Sequence, residues 1–283
     1  LRGGRGQPGR GRSSGVNLPL LRYTFASNLL RLLVIAAGMV LMGVVMPVMY
    51  AAFGAEMSEF IESIPFFSRI ASSFGGGDMF SLNGSLAMAF THPFTLLLVG
   101  IMAIGFPALA ISGERDKGTL EVTLSRPISR RGLLSTLLLA GVVFVFAPLA
   151  VLALTTGITS YLVGFGQEVE YAHLGQLWLA TGLLFTAYGA LAFAVAVESD
   201  RAGPAIGIPA VFILLNYLAW AIGSIWPDVG FLEDWSMFSL LESQKVLAEG
   251  AAASDVIVML AFIAFFVGVA WYRFPRRDLP APA

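Results

Sequence analysis

The run LLSTLLLAGVVFVFAPLAVLALTTGIT, residues 133–159, contains no charged side chain. A helix needs about 20 apolar residues to cross a hydrocarbon core of roughly 30 Å. The run exceeds that length, and its apolar residues are continuous, whereas those of a barrel strand alternate with polar ones. It therefore predicts a membrane-spanning helix that is long enough to tilt.

Five further runs have the same character, and none of them contains Asp, Glu, Lys, Arg or His. Hydrophobic residues make up 57% of the chain and charged residues 12%, whereas about a quarter of the residues of a soluble domain are charged. The sequence therefore predicts an all-α membrane protein with six transmembrane helices. The five further runs are 32–53, 94–111, 177–197, 205–225 and 256–272.

The basic residues are distributed unevenly about these runs. Fifteen of the seventeen Lys and Arg residues fall in segments that share one side of the membrane, and only Arg69 and Lys245 fall on the other. Because basic residues concentrate in cytoplasmic segments, we expect both termini in the cytoplasm, together with 112–132 and 198–204. The segments expected to face outward are 54–93, 165–176 and 226–254.

Two segments precede the first run. Residues 1–19 form a Gly/Arg-rich tail, which we expect to be disordered or to reflect a translation start assigned too early. An RNA-binding tail is the alternative, but the run lacks an aromatic residue that could stack on a base, so no nucleic-acid partner is expected. Residues 20–31 predict an amphipathic cytoplasmic lead-in helix, and 32–283 form the six-span transmembrane domain.

Two of the outer segments, 56–70 and 235–247, carry apolar residues at helical spacing. Amphipathic helices of this kind lie in the membrane interface, where aromatic rings occupy headgroup depth. We therefore expect interfacial helices in both outer segments. They would serve either as anchors or as a cap over a translocation path.

The chain offers little for catalysis or ion coupling. The runs contain no ionisable side chain of the kind that proton relays use, and the chain has no cysteine. Neither Lys117 nor Lys245 stands in the Gly-Lys-Ser/Thr ending that a phosphate-binding loop requires. We therefore expect no enzymatic activity, no bound metal and no ATP hydrolysis by this chain.

Polar and small residues inside the runs suggest two further features. Small residues recur from Ala187 to Ala196, and such spacing lets helices approach closely, either within the chain or between two copies. Polar side chains in membrane helices mostly bond neighbouring helices. Those that could instead line a path are Thr155, Thr159 and Asn216.

The segment between the second and third runs, ERDKGTLEVTLSRPISR at 114–130, combines charge with ordered punctuation. Ser112 is positioned to cap a short helix, and Ser129 to cap the third span. Gly118 and Pro127 would set the backbone shape between them. We predict a short, charged and rigid helical elbow joined directly to two spans.

This segment resembles the signature of type-2 ABC transporter permeases, in which Gly-Thr-Leu-Glu precedes Leu-Ser and Pro-Val/Ile-Ser-Arg after the second span. The resemblance implies a short cytoplasmic coupling helix that docks on a separate ATPase subunit. The residues expected at this contact are Glu114, Arg115, Gly118, Thr119, Leu120, Glu121, Leu124, Arg126, Pro127, Ser129 and Arg130.

The resemblance implies the permease subunit of an ATP-driven ABC exporter in a prokaryotic plasma membrane. Its partners would be an ABC ATPase, a second permease copy or a paralogue, and the lipid bilayer. ATP and Mg would bind to the partner ATPase, and no cofactor to this chain. The residues alone leave two alternatives open, a membrane scaffold without transport and a passive channel. The uncharged spans favour a hydrophobic or amphipathic cargo over an ionic one.

Overall fold

The computed structural model describes residues 15–62, 81–120, 125 and 128–277, and the regular elements in these ranges are all helical. A π-helical segment, Ala108–Gly113, follows the third α-helix, and 3-10 segments occupy Pro227–Val229 and Met237–Leu240. The α-helices are α1 (Leu18–Glu62), α2 (Leu82–Thr91), α3 (Pro93–Pro107), α4 (Glu114–Asp116), α5 (Arg130–Leu162), α6 (Tyr171–Glu198), α7 (Ala202–Ile225), α8 (Phe231–Asp234), α9 (Ser243–Glu249) and α10 (Ala253–Arg273).

Within the described ranges, six helical stretches are long and apolar enough to cross a membrane. The predicted all-α class with six spans is therefore confirmed. The stretches are Leu18–Gly54, Leu82–Asp116, Arg130–Leu162, Tyr171–Glu198, Ala202–Ile225 and Ala253–Arg273.

The first span belongs to a longer helix than its uncharged run suggested. α1 comprises 45 residues and includes the predicted lead-in, 20–31, without interruption. Residues 20–32 contain no glycine or proline, and Leu and Arg are good helix formers. Nothing local therefore ends the helix at that point. Of the outer segment predicted at 56–70, residues 56–62 belong to α1, and the rest lies outside the described residues.

The second span begins earlier than predicted, because α2 precedes it within what was expected to be an outer loop. Ser81 caps α2 by accepting a hydrogen bond from the Gly84 N–H (3.0 Å). The Ser85 hydroxyl donates to the Met46 carbonyl of α1 (2.9 Å) and ties the two helices together. These polar and small residues lower the hydropathy of the stretch, and the bond from Ser85 to α1 is a long-range contact that the sequence did not reveal.

A break at His92 separates α2 from α3. Pro93 lacks a backbone N–H and disfavours helical conformation in the residue before it, and His92 has a ψ of 134°. The Thr95 hydroxyl donates to the Ala89 carbonyl across the break (2.7 Å). His92 Nδ1 in turn accepts from the Phe94 N–H (3.2 Å). Side chains thus satisfy the polar groups that the break exposes, and both helices belong to one span.

α6 is the central helix of the bundle. In its most apolar stretch 83% of the residues are buried, compared with 17% for α7 and 11% for α10. Small residues make this possible, because a Cβ on Gly182 would lie 2.2 Å from the Phe146 ring of α5. Likewise, a Cβ on Gly189 would lie 3.4 Å from the Ala103 carbonyl oxygen of α3. The small residues of 187–196 are buried within the chain, which favours packing inside the protein over self-association.

The helix ends meet in two groups. The basic end holds the beginnings of α1 and α5, the π-helical segment, the turn between α6 and α7, and the end of α10. The Asn17 N–H donates to the Thr136 hydroxyl there (2.9 Å), which joins the beginning of α1 to α5. At the opposite end, the ring of Tyr50 contacts that of Phe165 with centroids 5.0 Å apart.

The opposite end also carries the segment 226–252, in which one interfacial helix was predicted over 235–247. The structure divides that stretch into the 3-10 segment Met237–Leu240 and α9. Phe238 and Leu247 are buried against the bundle, whereas the Trp235 side chain is 85% exposed. The stretch is thus packed mainly on the protein, and Trp235 is left available to the membrane interface.

Candidate functional site

The connection between α3 and α5 starts with a π-helical turn and a reversal of the backbone. We call residues 108–120 the elbow; they contain the described beginning of the segment 114–130 that was predicted as a helical elbow. π-helical turns are rare in proteins and occur frequently at functional sites. Gly118 has a φ of +69°, and its N–H donates to the Arg115 carbonyl (2.9 Å). No atom lies within 4 Å of the position that a Cβ would take, so backbone conformation rather than space favours glycine here.

A side-chain contact closes the reversal of the elbow. The Thr119 hydroxyl donates to Glu114 Oε2 (2.6 Å) and lies 3.2 Å from the Glu114 carbonyl oxygen. Glu114 begins α4, which continues the π-helical segment without a break. Two of the residues predicted for partner contact thus also shape the elbow itself.

Ser112 fastens the elbow to the central helix. The sequence predicted that Ser112 caps α4, but the N-cap of α4 is Gly113, which provides no side-chain bond. The Ser112 hydroxyl is fully buried and donates instead to the Ala196 carbonyl of α6 (2.8 Å). The prediction was wrong because the preceding turn is π-helical, so that the chain enters α4 without a capping residue.

Arg115 makes a second connection to α6. Its side chain is 3% exposed, and Nη1 donates to the Val197 carbonyl (3.2 Å) and the Ser199 carbonyl (2.5 Å). The same nitrogen lies 4.0 Å from Asp200 Oδ1. The sequence assigned Arg115 to the partner surface, whereas the structure directs its guanidinium into the chain.

The segment after α10 binds the same turn from the other side. Arg277 donates from Nη1 to the Val197 carbonyl and from Nη2 to Asp200 Oδ1 (2.7 Å). Arg273 donates to both carboxylate oxygens of Glu198 (2.6 and 3.1 Å). We call residues 273–277 the C-terminal segment.

Arg130 attaches the beginning of α5 to the C-terminal segment. Its Nη1 donates to the Pro275 carbonyl (3.2 Å) and the Arg277 carbonyl (2.6 Å). The beginning of α5 is also capped as the sequence predicted, because Ser129 Oγ accepts from the Gly132 N–H (2.9 Å). Both ends of the α3–α5 connection are therefore anchored by contacts within the chain.

The last carbonyls of α6 obtain their hydrogen bonds from outside that helix. A helix leaves its final four C=O groups without intrahelical partners, and cations are favourable at this end because of the helix dipole. The Ala196 carbonyl accepts from Ser112, and the Val197 carbonyl accepts from Arg115 and Arg277. The elbow and the C-terminal segment together cap the central helix.

The remaining predicted contact residues divide into two groups. Leu120 is buried, with 2% of its surface exposed, and belongs to the hydrophobic core. The other group lies outside the described residues and comprises Glu121, Leu124, Arg126 and Pro127.

Exposed charges on the elbow are available to a partner, and the predicted set omitted them. Asp116, Lys117 and the nearby Arg131 are exposed. The prediction also missed Glu198 and Asp200 as partners of the arginines. The sequence did carry a signal for this pairing. Acidic residues follow the fourth span and basic residues follow the sixth, so the two segments have opposite charge.

The three residues predicted to line a path are not brought together by the described contacts. The Thr155 hydroxyl donates to the Val151 carbonyl of its own helix (2.7 Å), and Thr159 is buried with 8% exposed. Asn216 lies on α7, where its Oδ1 accepts from the Met237 N–H (3.0 Å). Asn216 thus holds the segment 226–252 to the bundle.

An apolar cavity of about 690 Å³ lies between α3 and α7. We call it the α3–α7 cavity. Gly100 and Gly105 of α3 and Ala210 of α7 line it, together with Ile213 and Tyr217. Its volume falls within the range of small-molecule pockets, and its lining suits an apolar occupant.

Comparison with known protein families matches residues 26–279 to the family described as ABC-2 family transporter protein. The match covers all six spans but for the beginning of α1. The chain has no match among the curated proteins compared with it. The chain therefore belongs to the ABC-2 transporter family and is a multi-pass membrane protein, the permease component of an ABC transporter.

Proposed function

We propose that this chain is the permease subunit of an ATP-driven exporter, that its basic end faces the cytoplasm, and that its elbow docks on a separate ABC ATPase. The ATPase binds ATP and Mg, and this chain binds no cofactor. The complex resides in a prokaryotic plasma membrane and contains a second permease copy or a paralogue.

The charge distribution supports the orientation. The described basic residues at the basic end include Arg115, Arg130, Arg273 and Arg277, and fifteen of the seventeen basic residues of the chain fall in segments assigned to this side. Cytoplasmic segments near membrane helices carry such an excess of Lys and Arg. The elbow then lies on the side of the membrane where ATP is available.

The capping of α6 by the elbow is the observation that carries the coupling proposal. Ser112 and Arg115 belong to the elbow, and both hydrogen-bond carbonyls at the end of α6. α6 is the most buried of the six candidate spans. A displacement of the elbow by an ATPase is therefore transmitted directly to the centre of the bundle. An unattached loop has no such connection.

The α3–α7 cavity supports a hydrophobic or amphipathic cargo and the need for a second permease. The cavity opens on one side of a single bundle, and most of α7 is not covered by this chain. A second permease facing it would enclose the path. Movement of α6 would then change the shape of the enclosed path, because Ala103 of α3 packs against Gly189 of α6.

Single cysteines test the proposal cleanly, since the chain contains none. Lys117→Cys places a thiol on the exposed face of the elbow, and Trp235→Cys places one on the opposite end, where that side chain is exposed. In native membranes, a thiol-reactive crosslinker should join an ABC ATPase to the Lys117→Cys variant and not to the Trp235→Cys variant, as identified by mass spectrometry.

A membrane-impermeant maleimide applied to intact cells supplies the control for orientation. It should label the Trp235→Cys variant and leave the Lys117→Cys variant unlabelled until the membrane is permeabilised. Labelling of Lys117→Cys in intact cells, with Trp235→Cys protected, reverses the orientation. Absence of an ATPase crosslink at position 117 and at the neighbouring exposed Asp116→Cys removes the docking assignment.

A further inference from the structure

A second cavity, of about 310 Å³, lies at the basic end between α1, the elbow and α5. We call it the basal cavity. It is separate from the α3–α7 cavity apart from Leu109, which lines both. Its lining includes Arg31, Phe106, Leu109, Ala110, Glu114, Lys117 and Leu137.

The lining of the basal cavity changes from apolar to charged at the ends of the uncharged runs. Phe106 and Leu109 lie within the run 94–111, and Leu137 lies within 133–159. The charged lining residues stand just outside the runs. Arg31 immediately precedes the run 32–53, and Glu114 and Lys117 follow the run 94–111. The cavity therefore crosses from hydrocarbon depth to headgroup depth.

The charged part of the cavity carries an excess of positive charge. Among the described residues neither Arg31 nor Lys117 forms an ion pair with a carboxylate. Arg31 Nη1 lies 3.4 Å from Asn28 Oδ1, and its guanidinium has five N–H donors in all. Glu114 is the acidic residue of the lining, and its carboxylate accepts from Thr119. Two cations thus face one partly engaged carboxylate.

We propose that the basal cavity binds an anionic phospholipid from the surrounding leaflet, with the headgroup phosphate at Arg31 and Lys117 and an acyl chain along Phe106, Leu109 and Leu137. Basic pockets between membrane helices bind anionic headgroups by this combination of charge and apolar contact. A soluble anion would gain nothing from the apolar floor, and a zwitterionic lipid would gain less from the two cations. The cavity volume accommodates a headgroup with part of one chain, while the rest of the lipid remains in the bilayer.

Bound lipid would hold α1 against the elbow, because Arg31 belongs to α1 and Lys117 to the elbow. This binding goes beyond the proposed transport function and does not depend on it. An elbow that docks no ATPase would still present the same cavity.

Native mass spectrometry of the purified full-length chain in detergent tests the site. The probes are phosphatidylglycerol, phosphatidylcholine of the same acyl chains, and inorganic phosphate. We expect retention of phosphatidylglycerol in preference to both other probes. Each basic residue near the membrane surface contributes about fivefold to the affinity for an anionic lipid. Arg31→Gln with Lys117→Gln should therefore lower phosphatidylglycerol affinity by roughly 25-fold.

The matched control removes the same charge from the same end. Arg22→Gln with Arg131→Gln alters two exposed arginines that do not line the cavity, and its phosphatidylglycerol affinity should equal that of the unmodified chain. Ala110→Phe fills the cavity without a change of charge and should also abolish retention. Size-exclusion profiles identify variants that fail to fold.

Three results would overturn the proposal. Equal retention of phosphatidylcholine and phosphatidylglycerol removes the role of charge. Equal losses in the two double variants show a general surface attraction rather than a site. Binding of inorganic phosphate as tight as that of the lipid shows a site for a soluble anion.

Discussion

The two ends of the bundle are held together by different forces. At the basic end, Arg115 and Arg277 donate to the carbonyls that terminate α6. At the opposite end, neutral groups perform the corresponding task. Asn216 accepts from the Met237 N–H, and Gln176 Oε1 accepts from the Ala251 N–H (2.7 Å). The comparison indicates that charged hydrogen bonds join the elements of the basic end, whereas neutral ones hold the segment 226–252 to the bundle.

The largest effect is expected from Arg115→Ala at the basic end. The substitution leaves the Val197 and Ser199 carbonyls with fewer donors in a buried place, and the loss of charged hydrogen bonds costs about 2–3 kcal/mol of unfolding free energy. Thermal melting of the purified chain should fall accordingly, and substrate-stimulated ATP hydrolysis of the complex should be lost. Arg131→Ala, at an exposed arginine of the same end, should change melting little.

A variant of the opposite end sharpens this prediction. Asn216→Ala removes the acceptor of the Met237 N–H and should cost about 1 kcal/mol, with faster proteolysis of 237–249. It should leave ATPase association intact. If Asn216→Ala separated the ATPase as effectively as Arg115→Ala, the two ends would not differ in the way proposed.

A smaller effect than that of Arg115→Ala is expected from a change in the backbone of the elbow. The same kind of substitution at a glycine of α7 should have the opposite sign. Gly118→Ala places a side chain at a φ of +69° and should destabilise the elbow by about 1–2 kcal/mol. Gly207→Ala, in the helical interior of α7 with no atom near the new Cβ, should stabilise by up to about 1 kcal/mol. Melting temperatures that move in the same direction would show that the conformation of Gly118 is not maintained.

The smallest effect concerns the pH dependence of the opposite end. Burial, and then the charges of Asp234 and Glu242, raise the pKa of Glu233 above its ordinary value of 4.5. The folded protein therefore holds this proton more tightly than the unfolded chain does. Ionisation of Glu233 lowers stability above its raised pKa, and the penalty vanishes as the pH falls to about 4.5.

Glu233→Gln should consequently raise the melting temperature at neutral pH and change it little near pH 4.5. Asp228→Asn, at an exposed carboxylate of the same end, provides the matched control for the loss of one negative charge. An equal gain for Glu233→Gln at both pH values would contradict the assignment.

The spans could be predicted from sequence because membrane solvation is a property of each run by itself. The uncharged runs located all six, and Ser129 was correctly placed as the cap of α5. α2 was missed because its polar and small residues lower its hydropathy, and the partner of Ser85, the Met46 carbonyl of α1, lies far away in the chain.

The internal roles of Arg115 and Arg130 were missed for the same reason, since their partners lie 82 to 147 residues away. A charged side chain near a span end looks the same in sequence whether it binds a partner, a headgroup or a carbonyl of its own chain. Only the fold separates the buried Arg115 from the exposed Lys117 two residues later.

The Tyr188 ring connects α6 to two further parts of the bundle. It contacts the ring of Phe212 in α7 and that of Phe238 in the 3-10 segment Met237–Leu240, with ring centroids 6.2 and 5.7 Å apart. α6 is therefore connected to the elbow through its terminal carbonyls and, through this ring in its middle part, to the 3-10 segment Met237–Leu240. A small rotation of α6 at Ala196 also turns Tyr188, about two helical turns away, against Phe238. If the elbow moves as proposed, α6 would carry that movement to the segment 226–252 without a separate relay.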